Sequence, residues 1–301
     1  MKKNPSLSII ILNYNTKNLL KDCLLSLQKV RQEVSFEVIV TDNGSKDGSC
    51  EMLRKDFKWV KLVENKANIG FAAGNNRAKD YCNAENILFL NSDTIVHGGT
   101  LKKSLEYLDK NTKVGALTCK LNLLDGGVDK DTRRSFPTPW VSFTHLVLGL
   151  DRVFPKSPLF AKYWYGYIPE DKTHEVDVIQ GAYFLTRRKI LDKVGWFDED
   201  YFLDGEDIDL CWKIREAGWK IVYFPEVSII HLKGATKGIN KKVKKKAPLT
   251  ERIKFRTSGV TSMEIFYRKR LWDKYPLPLN IIVIAGIKCL RITRVLKLLL
   301  S

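Results

Sequence analysis

The sequence lacks paired cysteines. Its six cysteines are scattered along 301 residues, and no two of them form a C-x-x-C pair. Structural zinc sites and disulfide frameworks need cysteines at defined spacings, so this pattern argues against both. The N-terminus shows no small-residue cleavage site, and we therefore expect no signal peptide. A reducing cytoplasm is the compartment that this cysteine usage favours.

Long apolar runs are also missing. The uninterrupted apolar stretch near the C-terminus, residues 281–287, is far shorter than the about 20 residues that a membrane-spanning helix needs. Basic residues spaced by three interrupt the segment from 279 to 300: Lys288, Arg291, Arg294 and Lys297. We expect a basic amphipathic helix that lies in the interface of an anionic membrane. A C-terminal helix packed on the protein or in a dimer is the structural alternative.

Acidic residues are scarce in the last part of the chain. Residues 233–301 contain 18 Lys and Arg against three acids, a net charge of +15, which leaves +2 of the total +17 for residues 1–232. Such a tail is suited to bind phosphates, either of nucleic acid or of anionic lipid. The run from Lys241 to Lys246 is typical of a solvated segment.

The first hundred residues alternate strand and helix patterns. Continuous apolar runs predict buried strands at 7–12, 36–40, 60–63 and 87–90, and helical spacing predicts helices at 19–27, 50–57 and 72–82. This βαβαβαβ order predicts an α/β fold with a doubly wound, mainly parallel sheet. We expect further strands at 114–121, 176–186, 220–224 and 227–231, and a helix at 206–217.

Polar clusters follow three of these strands. They are Asn13-Tyr14-Asn15, Asp42-Asn43 and Asn91-Ser92-Asp93. Each cluster alone is ordinary turn chemistry. Ligands of doubly wound sheets, however, bind beyond the carboxyl ends of the strands, where all three clusters lie. The sequence contains neither G-x-G-x-x-G nor a P-loop lysine, which argues against a dinucleotide oxidoreductase and a P-loop NTPase.

The region from 122 to 175 is irregular and rich in aromatic residues. Such a composition suits a binding surface or a mobile lid, and it suits ordinary packing equally well. The sequence leaves these alternatives open.

Six stretches carry a resemblance to a known family. In chain order they are SIIILNYNTKNLLKDCLLSL, FEVIVTDNGSKDGS, NIGFAAGNNRA, ILFLNSDT, GAYFLTRRKILDKVGWFDEDYFLDGEDIDLCWKIREAGWKIVYFP and HLKGAT. Together they resemble the family 2 glycosyltransferases of GT-A fold, in particular the bacterial rhamnosyltransferase-like branch. The resemblance implies a catalytic domain over residues 1–235, with a nucleotide-sugar half (1–120) and an acceptor half (121–235). Residues 236–301 then form a basic C-terminal helical extension.

The resemblance also implies which residues contact the donor. Asp42 matches the aspartate that binds the nucleotide base, and its carboxylate can accept the N3–H of uracil or thymine. A Gly- and Asn-rich helix entry can present backbone N–H groups to the nucleotide. The donor-binding residues that we assign are Asn13, Asn15, Asp42, Asn68, Gly70, Asn76, Arg77 and Ser92.

A divalent metal is implied as well. Asp93 matches the last acid of the family's D-x-D motif, while Asn91 replaces the first acid. His231, after a later strand, is the second candidate ligand, although a lone histidine is more often structural. Carboxylate and phosphate oxygens suit Mg²⁺ or Mn²⁺. With one carboxylate fewer, we expect weak metal binding in the absence of the donor.

The general base is implied at the start of the 206–217 helix. Asp207 matches the usual base of the family, and Glu206 is the alternative. A helix N-terminus favours an ionised carboxylate, but acids are also common there as caps. Seven acids lie between Asp198 and Asp209, more than a cap requires.

These residues predict an inverting glycosyltransferase of cell-surface polysaccharide synthesis. The donor is a dTDP- or UDP-sugar, with dTDP-rhamnose first, and the acceptor is a saccharide or a lipid-linked saccharide. We expect the enzyme on the inner face of the cell membrane as a peripheral protein. A nucleotidyltransferase and a basic nucleic-acid-binding protein are the alternatives, although nucleic acid is not the expected partner.

Overall fold

A computed structural model describes residues 4–233 and 249–300 of the chain. The strands are β1 (Leu7–Asn13), β2 (Phe36–Asp42), β3 (Lys61–Glu64), β4 (Asn86–Leu90), β5 (Thr94–Val96), β6 (Val114–Asn122), β7 (Arg133–Arg134), β8 (His174–Glu175), β9 (Val178–Ile179), β10 (Tyr183–Arg187) and β11 (Lys220–His231). The α-helices are α1 (Lys17–Lys29), α2 (Ser49–Asp56), α3 (Phe71–Asn76), α4 (Thr100–Lys110), α5 (Pro139–Ser142), α6 (Leu150–Val153), α7 (Arg188–Val194), α8 (Glu206–Glu216), α9 (Leu249–Phe266) and α10 (Leu277–Leu299).

A central sheet organises the molecule. Its strand order is β3-β2-β1-β4-β10-β6-β11-β5, and β8 pairs with β11. Strands β3, β2, β1 and β4 run parallel, as do β6 and β11, whereas β10 lies antiparallel between β4 and β6. The predicted fold class, a mainly parallel sheet flanked by helices with helices at the C-terminus, is confirmed.

Local patterns explain the parallel half. In β1 the first five residues are all buried, as expected for a strand covered on both faces. Helix α1 buries Leu20, Cys23, Leu24 and Leu27, whose spacing places them on one helical face against the sheet. The carboxyl ends of β1, β2 and β4 therefore meet at one edge.

Several predicted element boundaries are wrong. The strand expected at 176–186 is two strands: β9 pairs with β7 in a separate two-stranded sheet, and β10 joins the central sheet. The two strands expected at 220–224 and 227–231 are one strand, β11, with an irregular register between Phe224 and Ser228. The helix expected at 72–82 ends at Asn76, and a short 3₁₀ turn follows at Lys79–Tyr81.

The C-terminal helices pack on the acceptor half. Helix α9 and the first half of α10 share an apolar core with Tyr201, and Phe136 and Trp212 pack against that core. The alternative of a packed C-terminal helix therefore applies to this part of the tail. The predicted domain boundary at 235, the end of the HLKGAT stretch and the run from Lys241 to Lys246 lie outside the described residues. In the described ranges, no helix is both long and apolar enough to cross a membrane.

Candidate active site

A hydrogen-bond network joins the ends of β1, β2 and β4. Asn13 and Asp42 are register partners, and Asn13 Nδ2 donates to Asp42 Oδ2 over 2.6 Å. Thr16 Oγ1 donates to Asn13 Oδ1 over 2.6 Å and lies 3.0 Å from Ser92 Oγ. The structure thus brings three predicted donor-binding residues, Asn13, Asp42 and Ser92, into one buried network.

The loops around this network are shaped by other predicted residues. Asn15 has a positive φ of 54°, and its side-chain oxygen accepts the Lys46 N–H. Asn68 Oδ1 accepts the Gly70 N–H over 3.0 Å. Gly70 has φ of +96°, and a Cβ there would lie 2.6 Å from the Phe202 carbonyl oxygen, so a side chain at this position would clash with backbone.

Asn76 and Arg77 lie apart from this network. Asn76 is the last residue of α3, and its amide hydrogen-bonds the Phe197 backbone and the Glu199 carboxylate. Arg77 is exposed beside it. Because Gly70 marks the other end of α3, the structure does not bring Asn76 and Arg77 together with Asp42.

Asp93 and His231 face each other beyond β4 and β11. His231 Nε2 lies 3.4 Å from Asp93 Oδ1, and its Nδ1 lies 2.9 Å from Asp129 Oδ2. Burial alone would lower the pKa of His231, but hydrogen bonds to Asp129 and Asp93 outweigh it and raise this pKa to about 9. Burial would raise the pKa of Asp129, yet hydrogen bonds from His231 and Lys233 lower it to about 2.

This pair suits a hard divalent cation that is shared with a ligand. Asp93 offers carboxylate oxygen. With a pKa of about 9, His231 is protonated at neutral pH in the absence of metal, so a cation would have to displace the Nε2 proton before Nε2 binds it, while Asp129 accepts from the other ring nitrogen. In the part of the chain that the structure describes, no three His, Cys, Asp or Glu side chains surround one metal position. Two protein ligands alone leave most of an octahedral shell to water or phosphate.

The predicted base lies in the first turn of α8. Glu206 and Asp207 are buried, and Gly205 precedes them in a left-handed conformation with φ of +90°. Arg134 Nη2 donates to Asp207 Oδ2 over 2.6 Å, and the Ile208 N–H donates to Asp207 Oδ1 over 2.8 Å. A buried carboxylate is therefore held in one orientation by a cation and a backbone group.

Burial also sets the acidity of these two groups. Desolvation raises the pKa of Asp207, and the neighbouring Arg134 cation offsets part of this rise. Desolvation and the nearby Asp207 charge raise the pKa of Glu206 well above its ordinary value. Glu206 Oε2 has no hydrogen-bond partner within the described ranges, as expected for a group that is poorly stabilised as an anion. Asp207 is thus the member of the pair that is better suited to be ionised.

Sequence reasoning missed Asp129 and Arg134. Asp129 holds His231, and Arg134 holds Asp207, so the short segment between them connects the Asp93–His231 pair to the predicted base. The doublet Arg133-Arg134 ahead of an aromatic stretch was the available signal. This doublet did not indicate that Asp207 is the partner of Arg134, because the two residues are more than 70 positions apart.

The acidic run before α8 is largely structural. Lys269 binds both Asp198 and Asp200 over 2.6 Å, and Arg270 forms a two-pronged contact with the fully buried Asp209 at 2.7 and 3.1 Å. These three acids therefore have structural partners, because residues of the tail supply their cations.

Comparison with known proteins finds rhamnosyltransferases among the relatives. An N-acetylglucosaminyl-diphospho-decaprenol L-rhamnosyltransferase of Mycobacterium tuberculosis is 28% identical over 243 residues, covering 77% of this chain and 78% of the relative. Rhamnosyltransferase WbbL of Escherichia coli K12 is 25% identical over 232 residues, covering 74% of this chain and 82% of the relative.

A solved structure shares the fold. A mannosyltransferase of Pyrobaculum calidifontis, solved in complex with GDP-Man and Mn²⁺, matches 95% of this chain and 70% of its own length with a TM-score of 0.58 and 19% identity. The family model described as glycosyltransferase like family 2 matches residues 5–248. With a strand-end network, a paired aspartate and histidine and a buried carboxylate in place, the chain belongs to glycosyltransferase family 2 and is a transferase enzyme.

Proposed function

We propose that this enzyme is an inverting glycosyltransferase that moves rhamnose, or a related sugar, from a dTDP- or UDP-linked donor to a hydroxyl of a lipid-linked saccharide. The observation that carries the proposal is the segment from Asp129 to Arg134. One end of it holds His231 beside Asp93, and the other end holds Asp207. The candidate diphosphate site and the candidate base are thereby connected through one short segment of the chain.

The donor half would bind the nucleotide at the strand-end network. Asp42 lies at the carboxyl end of β2, with Oδ1 accepting the Ser45 N–H and Oδ2 accepting from Asn13. Each carboxylate oxygen has a second lone pair, so Asp42 can also accept the N3–H of a uracil or thymine base. A cytosine base presents an acceptor at N3 and would be disfavoured.

The leaving diphosphate would be held near Asp93 and His231. A bound Mg²⁺ or Mn²⁺ would neutralise the negative charge that develops on the diphosphate. Asp93 and His231 would hold this cation, Asp129 would keep the His231 ring oriented, and Lys233 beside Asp129 adds a further positive charge.

Asp207 would remove the proton of the acceptor hydroxyl. The hydroxyl oxygen attacks the anomeric carbon while the bond to the diphosphate breaks, which inverts the configuration in a single displacement. The proton passes to Asp207. Arg134 would keep Asp207 ionised and aimed, despite its burial, until the acceptor arrives.

The acceptor would be presented at a membrane surface. One side of α10 leaves apolar side chains in solvent: Ile281, Ile282, Ile292, Leu296 and Leu299. Arg291 and Arg294 lie instead near α9, because Arg291 lines a cavity with α9 residues and Arg294 approaches Gly259. Lys288 and Lys297 stay exposed as well, so the solvent side of α10 combines apolar with basic side chains. It suits the interface of the inner membrane leaflet, where the protein would be peripheral.

Thermal stabilisation by a panel of nucleotide-sugars, with Mg²⁺ or Mn²⁺, tests the donor assignment. A ligand that binds only the folded state raises the apparent stability, so dTDP-rhamnose should raise the melting temperature more than GDP-mannose or CMP-linked sugars. A matched measurement with Asp42→Ala should abolish the preference for uracil and thymine. An equal response to all bases would contradict the role of Asp42.

A further inference from the structure

A second apolar surface lies in the acceptor half. Between residues 139 and 160, large apolar side chains are 45 to 68% exposed. They are Trp140, Phe143, Leu146, Val147, Leu148, Val153, Phe154 and Leu159. Eight large apolar side chains exposed within residues 140–159 indicate an interaction surface rather than incidental solvent contact. We call this the 139–160 surface.

This surface is folded rather than loosely attached. Thr138 caps α5 by accepting the Val141 N–H, and a π-helical turn continues from α5 through Phe143–Val147. Phe160 contacts the rings of both Trp140, at 6.5 Å between centroids, and Phe154, at 5.6 Å. Three buried side chains anchor the inner side, so that the exposed side chains face outward. The buried anchors are Val141, Thr144 and Ala161. These exposed side chains belong to none of the apolar core clusters of the described residues.

The charges around the 139–160 surface have one dominant sign. Arg152, Lys156 and Lys162 are exposed. The acid in this stretch, Asp151, is paired with His145 at 2.9 Å. Apolar side chains bordered by free basic ones complement a layer of anionic headgroups over acyl chains. An ordinary protein interface would show fewer unpaired cations around its apolar centre.

The 139–160 surface continues directly into the candidate active site. The Ser135 N–H donates to the Tyr163 carbonyl oxygen over 3.0 Å, next to Arg134, which binds Asp207. His145 stacks on Tyr163 with centroids 4.5 Å apart. A membrane in contact with this surface would therefore lie near Tyr163, whose backbone binds the neighbour of Arg134, the residue that holds Asp207.

We infer that the 139–160 surface is a membrane-docking element that inserts its apolar side chains into the interface of an anionic phospholipid bilayer. The inference rests on the proposed function in one respect: the purpose of docking would be to bring a lipid-linked acceptor to the base. It assigns a second contact, separate from α10, so that the enzyme meets the bilayer at two places.

Vesicle flotation of the full chain tests this inference. The probes are vesicles of phosphatidylcholine alone and of phosphatidylcholine mixed with the anionic lipid phosphatidylglycerol, without any nucleotide-sugar. We expect binding to the anionic vesicles and at least a ~5-fold lower bound fraction for the double variant Phe143→Ser and Val147→Ser. Arg152→Gln with Lys156→Gln should weaken binding to the anionic vesicles alone.

Matched variants separate this surface from others. Leu124→Ser removes an even more exposed apolar side chain outside the surface and should leave binding unchanged. Ile282→Ser with Leu296→Ser on α10 should give an independent loss of binding. All of these side chains are exposed, so unchanged melting temperatures are expected.

Three results would overturn the inference. The first is that the wild type does not bind anionic vesicles. The second is that the Phe143 and Val147 double variant binds them fully. The third is that this variant loses a concentration-dependent dimer without losing vesicle binding. The last would identify a protein interface. Since no sugar donor is present, a failure of the transferase proposal would leave this assay unaffected.

Discussion

At the scale of single residues, the unusual feature is a candidate metal pair with one carboxylate. Asn91 stands where the family motif has its other acid, and its backbone carbonyl accepts the Thr94 hydroxyl over 2.8 Å. The remaining pair, Asp93 and His231, is oriented by Asp129. Binding of metal and donor should therefore depend on Asp93 far more than on Asn91.

We predict that Asp93→Ala abolishes the thermal stabilisation by nucleotide-sugar with Mn²⁺, because the carboxylate that faces the cation is lost. Asp129→Asn should weaken metal affinity by ~10–100-fold, since it releases the His231 ring. Asn91→Ala serves as the matched control and should retain most of the stabilisation. Equal losses in Asp93→Ala and Asn91→Ala would contradict the assignment.

The pH dependence of the transfer rate should reflect the pKa of the buried Asp207 carboxyl group. A base must be ionised to accept a proton, and burial raises the pKa of Asp207. As the pH is lowered, the rate should therefore begin to fall at a higher pH than it would with an ordinary aspartate, whose pKa is about 3.9. Arg134 favours the ionised form, so Arg134→Gln should move this acidic limb upward by ~1–2 pH units.

The measurement is kcat/KM against pH for the wild type and Arg134→Gln. Asp207→Asn is the control, with donor binding retained and transfer lost over the whole pH range. If Arg134→Gln lowered the rate equally at every pH, Arg134 would act only on structure.

The sequence predicted the residue types of the site better than their contacts. Asp42, Asp93 and Asp207 could be proposed from the sequence because Asp42 ends a strand, Asp93 follows one and Asp207 opens a helix, all within stretches that resemble the family. Asp129 and Arg134 could not be found, because their partners His231 and Asp207 lie 102 and 73 positions away. No local periodicity encodes such pairs.

At the scale of elements, α8 and α9 depend on each other. Gly205, at the start of α8, approaches Ser262 of α9 so closely that a Cβ there would lie 2.8 Å from the Ser262 Cβ. Arg270, just beyond α9, forms its two-pronged contact with Asp209 in α8. The helix that bears the base is thus fixed by the C-terminal helices.

We predict that Arg270→Met destabilises the protein by ~3 kcal/mol, because it removes the two-pronged partner of the fully buried Asp209 carboxylate and leaves it the Tyr201 hydroxyl and Lys213, a more distant cation at 3.9 Å. Arg268→Met, which breaks a more exposed pair with Glu264, should cost ~0.5 kcal/mol or less. Urea denaturation of both variants gives the comparison. Similar midpoints for the two would show that Asp209 finds another partner.

The predicted elements failed where tertiary contacts override local pattern. The apolar run at 176–186 predicted one strand, yet Gln180-Gly181-Ala182 separates a strand that pairs with β7 from one that enters the central sheet. Pro225 and Glu226 suggested a break, but β11 continues past them with an irregular register. Sheet pairing, which a single sequence does not show, decided both cases.

At the scale of the whole molecule, the described part of the basic tail is not a free polycation. Lys269 pairs with Asp198, Arg270 pairs with Asp209, and α9 and α10 share a core with Tyr201. A nucleic-acid-binding module that persists after removal of residues 1–232 would lose part of this core. The described part of the tail is better explained as a support for α8 and a carrier of an apolar face.

The central claim is inverting sugar transfer, and NMR of the reaction products tests it most directly. The full chain is incubated with dTDP-rhamnose, a divalent cation and a lipid-linked saccharide. We predict release of dTDP in step with a new glycoside whose anomeric configuration is opposite to that of the donor. Retained configuration, or release of pyrophosphate from a nucleoside triphosphate with no glycoside formed, would contradict the account.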